Sequence, residues 1–95
     1  MLDSSEPQAR FALGRTVATQ GAVATIPHHE ILRALARHER GDWGDLGGED
    51  IAANNEALLN EGRLLSVYKA ADGTRFYVIT ECDRSYTTVL LPEEY

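Results

Sequence analysis

Asp72-Gly73 separates two runs, Arg63–Ala70 and Thr74–Glu81, that are rich in Val, Ile, Leu, Tyr, Phe and Thr. β-forming runs on either side of Asp-Gly are the strongest short-range signal for a hairpin, because the glycine supplies the left-handed backbone of a tight turn. A third run, Tyr86–Leu91, follows the turn residues Cys82-Asp83-Arg84-Ser85, and Pro92 ends it because proline cannot donate to a ladder. The C-terminal half is therefore expected to be a three-stranded antiparallel meander. Alternation places Leu65, Val67, Phe76, Val78 and either Val89 or Leu90 on one face, and Ser66, Tyr68, Tyr77, Ile79 and Glu81 on the other.

A sheet with one apolar face needs a second layer, and the N-terminal half supplies it. Pro27 opens a helix expected over residues 28–40, with Ile31, Leu32 and Leu35 at helical spacing, Arg37, His38 and Arg40 in the last turn, and Gly41 as the stop. Four glycines in residues 41–48 predict a tight loop that folds Trp43 and Leu46 back onto the core. A second helix is expected over residues 49–61, begun by Glu49 and Asp50 and ended by Gly62. Upstream, residues 10–17 read as a short strand with Phe11, Leu13, Arg15 and Val17 on one side, and Thr19 is placed to cap a brief helical turn from Gln20 to Thr25. Residues 1–9 read as a disordered lead-in to a single domain over residues 10–95. The expected fold is α+β: two helices on a three- to four-stranded antiparallel sheet.

The chain has 95 residues, with nine Lys plus Arg against fifteen Asp plus Glu, for a net charge of −6. That balance argues against general DNA binding, which needs a basic surface, and suits solubility alone, a protein partner with a basic surface, or mimicry of a nucleic-acid backbone. Cys82 is the single cysteine, so no internal disulfide can form, and a cytoplasmic setting is expected, with Cys82 packed in the interior. Neither a secretory leader nor a membrane-spanning run is expected, because residues 1–7 lack a basic start followed by an apolar stretch and no run of about 18 apolar residues occurs. A core this small also leaves room for stabilisation by a second copy.

No metal or nucleotide motif occurs: HExxH, paired CxxC, GxGxxG and the P-loop are all missing, and no cofactor is called for. His28 and His29, being adjacent, read as surface residues at a helix start. His38 reads first as a partner of the helix dipole, and Arg84 with Glu81 as an ion pair bracing a turn. Together, however, His38, Glu81 and Arg84 are the groups that metal-free RNA cleavage requires: an acid–base pair and a cation for the phosphorane. For binding rather than catalysis, the candidates are Asp42, Trp43, Asp45, Tyr77, Arg84, Tyr86, Glu93 and Glu94, with the Pro92–Tyr95 tail as a docking peptide.

The pattern Arg37-His38, Gly41-Asp42-Trp43-Gly44, Asp72-Gly73-Thr74, Val78-Ile79-Thr80-Glu81, Asp83-Arg84-Ser85, Thr87-Thr88 and Leu91-Pro92-Glu93-Glu94-Tyr95 resembles a family of small proteins, of uncharacterised activity, encoded on bacterial plasmids, integrative elements and phages. The resemblance covers about residues 11–95. It implies an inhibitor of a host defence system, of anti-CRISPR or anti-restriction type, acting by protein binding. The layout of helices and meander with His, Glu and Arg is also similar to the barnase, EndoU and RelE-like nucleases, which implies the alternative of a metal-independent ribonuclease.

Overall fold

The computed structural model describes residues 8–95, so the expected lead-in lies, except for its last two residues, outside the described residues. The elements are β1 (Arg15–Ala18), α1 (Gln20–Thr25), α2 (His28–Glu39), α3 (Gly48–Asn60), β2 (Leu64–Lys69), β3 (Arg75–Thr80), β4 (Tyr86–Leu90) and a 3-10 turn over Pro92–Glu94. The class is α+β and the meander β2–β3–β4 is present, but the sheet is mixed rather than antiparallel. Its order is β1-β4-β3-β2, and β1 runs parallel to β4. Two parallel strands need a long crossover between them, and here the three helices and the meander's first two strands fill it.

Each helix starts and stops for a local reason. The Thr19 hydroxyl accepts from the Ala22 amide at 3.1 Å and caps α1. The Pro27 carbonyl accepts from Glu30 and Ile31 at the start of α2. At its end Gly41 takes φ +84°, and the amides of Gly41 and Asp42 return to the carbonyls of His38 and Arg37, which is a Schellman stop. Ala22, Ile26, Ile31, Ala34 and Leu35 of α1, α2 and their connection pack on Tyr68, Phe76, Val78 and Val89 of the sheet.

Two expectations about side-chain direction fail for identifiable reasons. The strand expected over residues 10–17 is only Arg15–Ala18, because Gly14 sits at φ +67°, where a Cβ would collide with the backbone oxygens of Arg84 and Ser85. That left-handed residue breaks the alternation. Leu13 packs against the core and Phe11 reaches His38 and Trp43, while Arg15 and Val17 align with Tyr86 and Thr88 on the outer face.

The second failure lies in β2. A two-residue Asp-Gly turn would set Val67 opposite Val78. Instead Ala71, Asp72 and Gly73 form a three-residue loop, with Gly73 at φ +92°, its amide on the Ala70 carbonyl, and the Ala70 amide on the Thr74 carbonyl. Ser66 therefore faces Val78 and Tyr68 faces Phe76. One extra residue in the turn sends every β2 side chain to the opposite face: Ser66 and Tyr68 turn toward the helices, and Leu65 and Val67 join Tyr77 and Ile79 on the other face, where Val67 and Ile79 are buried too. Gly73→Ala should cost about 1 kcal/mol, because an L-residue resists the left-handed region. Urea unfolding would register this as a lower midpoint with an unchanged slope.

Candidate functional site

The same register shift builds a polar layer inside the core. His38, on the inner side of α2, has no exposed surface, and neither do Ser66, Thr80 and Thr87. The ring Nδ1 lies 2.6 Å from Ser66 Oγ and Nε2 lies 2.9 Å from Thr80 Oγ1. Thr80 Oγ1 is 2.7 Å from Thr87 Oγ1, which donates to the Leu13 carbonyl at 2.7 Å. A carbonyl can only accept, so the direction of the relay follows from its end. Thr87 spends its proton on Leu13 and must accept from Thr80; Thr80 must then accept from His38. The relay thus places a proton on Nε2, and burial keeps the ring neutral, so that Ser66 donates to Nδ1. Burial, reinforced by the nearby Arg84 charge, pushes the His38 pKa down to about 4.

Around this layer the ring of Phe11 meets His38 edge-on at 5.2 Å and Trp43 does so at 5.6 Å. Trp43 is itself buried, in accord with the expected fold-back of its loop, so it contributes to the core and not to a surface. Its Nε1 donates to Asn55 on α3 at 3.3 Å.

Arg84 takes the left-handed backbone at φ +59° and stacks over Phe11. Its guanidinium donates to the carbonyls of Gly62 at 2.6 Å, Ala57 at 3.1 Å and Glu81 at 3.1 Å. The expected Arg84–Glu81 ion pair is absent, because those carbonyls at the C-terminus of α3 take the guanidinium, and the Glu81 carboxylate instead lies 3.5 Å from Arg63. The three groups of the ribonuclease reading are therefore a sealed neutral histidine, an arginine spent on a helix end, and a glutamate paired elsewhere. As arranged, no phosphate can reach His38. Cys82 is exposed rather than packed, since β3 ends at Thr80 and the cysteine falls in the turn.

α3 is held to the sheet mainly by polar contacts. Asn54 is its one buried residue, donating to the Leu65 carbonyl at 2.5 Å and accepting from the Leu65 amide at 3.1 Å, as a neighbouring strand would. The helix thus closes the β2 edge together with residues 43–45, which bond both backbone groups of Val67, while turning most of its own surface to solvent, including Ile51 and Leu59, the latter 84% exposed.

The charges separate the same way. Residues 41–62 hold Asp42, Asp45, Glu49, Asp50, Glu56 and Glu61 and no lysine or arginine, so the rest of the chain, with nine acidic and nine basic residues, is neutral. A charge equal to the whole net −6 is thus carried by α3, the loop before it and its C-cap Glu61. Asp42 is answered by Arg37, which grips it at 2.7 and 3.1 Å and holds its carboxyl below the usual range. Asp45, Glu49, Asp50, Glu56 and Glu61 are exposed. A running charge count along the sequence carries this signal, whereas the motif and register arguments missed it.

The remaining candidates lie on the outer sheet face and in the C-terminal turn. Tyr77 is half-buried beneath Tyr95 at 5.8 Å, Arg63 stacks over Tyr95, and Tyr86 is exposed. Glu94 is bound to the Thr19 hydroxyl at 2.5 Å and to the amides of Gly21 and Leu91, so the expected docking tail is fastened to its own domain, with Glu93 left exposed. His28 and His29 are exposed, and among the described residues no cluster of His, Cys, Asp or Glu could hold a metal ion. Nor is any helix among them long and apolar enough to cross a membrane. No protein-family model, curated protein or solved structure matches the chain.

Proposed function

We propose that this protein acts by binding, and that α3 with its preceding loop is the surface presented to a basic protein partner. The observation that carries the reading is the concentration of six acidic residues and no basic ones in residues 41–62, five of them exposed and unpaired among the described residues along α3 and its flanks, with Ile51 and Leu59 interspersed as apolar contacts. Acidic residues in the first turn also suit the helix dipole, but that accounts only for Glu49 and Asp50. An anionic helix with apolar anchors fits a groove that otherwise holds a nucleic-acid backbone, and electrostatic complementarity would speed encounter and select the partner. In the setting implied by the sequence resemblance, such a ligand would inhibit a nucleic-acid-binding defence complex by occupying its basic channel.

The test is binding of the purified protein to a panel of purified restriction and CRISPR effector complexes at two salt concentrations. The reading expects a salt-sensitive interaction that weakens about 100-fold or more when Asp45, Glu49 and Glu56 are all changed to Lys, because like charges then face the basic partner. Binding that survives the triple reversal but is lost in Tyr86→Ala would move the site to the outer sheet face. Absence of any binding across the panel would count against the inhibitor reading.

A further inference from the structure

One edge of the sheet is closed by α3 and residues 43–45, and the other is β1. Among the described residues β4 is the only strand paired with β1. The amides of Arg15 and Thr19 bond to Ser85 and Val89, so by alternation Arg15, Val17 and Thr19 turn their backbone groups toward β4, and Thr16 and Ala18 turn theirs to the open side. All four residues of the strand are exposed. Beside it, between β1 and α2, runs an apolar groove of about 210 Å³ lined by Val23, Ile31, Leu32 and Leu35. Val17, Val23 and Leu32 are 40%, 63% and 54% exposed, so three exposed apolar side chains gather along this edge.

We infer that β1 pairs antiparallel with β1 of a second copy about a two-fold axis at Val17, joining two four-stranded sheets into one. The edge is self-complementary in this register. With Val17 opposite Val17 of the partner, Thr16 falls opposite the partner's Ala18, and each such pair exchanges two backbone hydrogen bonds, using every free group of the strand. A two-fold axis perpendicular to the sheet keeps the helices of both copies on one side, so the second strand roofs the groove and covers Val23 and Leu32.

The next pair outward sets Arg15 opposite the partner's Thr19, on the same face. Thr19 is where the Glu94 carboxylate is anchored, at 2.5 Å. Arg15 has no salt bridge within its own chain among the described residues, and the pairing brings it to the partner's Glu94 twice by symmetry. Charge complementarity therefore selects a second copy over an arbitrary strand. A short edge with an arginine also resists open-ended association, because no edge is left once the pair closes.

Sedimentation equilibrium over a range of concentrations, combined with hydrogen exchange, tests this. The wild type should dimerise, and the Thr16 and Ala18 amides should become at least about tenfold slower to exchange as dimer forms, since only then are they bonded. Thr16→Pro removes an outward donor while sparing the ladder to β4, and should give a folded monomer. Arg15→Glu should weaken the dimer about tenfold or more by facing Glu94 with like charge. A wild type that stays monomeric at high concentration overturns the inference. So does a dimer unaffected by both variants, or one in which Thr16 and Ala18 stay unprotected.

Discussion

His38→Ala should lower stability by about 3–5 kcal/mol, because it leaves a cavity in the core and strips Ser66 and Thr80 of their shared partner. Small domains have only about 5–15 kcal/mol in total, so the variant should approach global unfolding at physiological temperature. The same group gives a pH dependence whose sign is fixed by its shift. The folded pKa, about 4, lies below the ordinary value of 6.5, so the unfolded chain takes up this proton first as pH falls. The contribution is complete above about pH 6.5 and is lost progressively down to about pH 4, amounting to roughly 3 kcal/mol in this window. Asp42, whose carboxyl is held low by Arg37, adds a loss at lower pH. Chemical denaturation at pH 7 and pH 4.5 should show the drop in the wild type, and a folded His38→Gln variant should lack most of it. A wild type as stable at pH 4.5 as at pH 7 would contradict the buried neutral ring.

Arg84→Met should cost about 2–4 kcal/mol, the second largest loss expected. The side chain supplies charge-assisted hydrogen bonds to three carbonyls, two of them at the C-terminus of α3. Methionine retains much of the packing over Phe11 but donates to none of them. Because Asn54 is the one buried residue of α3, the helix has little apolar packing to hold it once this brace is gone. The effect should therefore be regional: amide exchange should speed up in α3 and the loop before it, at milder cost to the meander. Under the binding proposal the same variant should weaken partner binding without touching a single acidic residue. A uniform change in exchange across the domain would argue that Arg84 supports the core and not the helix.

Where the sequence was informative, the reason was local. Thr19 before Gln20–Thr25 and Gly41 after Glu39 act within one turn of helix, so α1 and the end of α2 were legible. The sheet partner of β1 depends on which strand lies across it after a long crossover, and no local pattern encodes this. Asp-Gly signalled a hairpin but not its loop length, and the one-residue difference decided whether Ser66 faced His38 or the opposite face of the sheet. For that reason the candidate catalytic set could be assembled from sequence only as a chemical list. The structure does not bring its members together: His38 sits in a relay that ends on the carbonyl of Leu13, a residue with no chemical signature, while Arg84 binds backbone carbonyls and Glu81 faces Arg63. Cys82 was misplaced because strand ends are uncertain by a residue or two, enough to move a side chain from interior to turn.

The account of the core rests on His38 being a sealed, neutral strut, which takes it out of the candidate catalytic set. Its most direct test is a nitrogen-15 NMR titration of the imidazole in the intact protein. The account predicts a neutral ring with the proton on Nε2 throughout the range in which the fold is intact, with no protonation above about pH 5. A ring that titrates near 6.5 with the fold intact, or carries its proton on Nδ1, would contradict the relay and return His38 to the list of residues able to do acid–base chemistry.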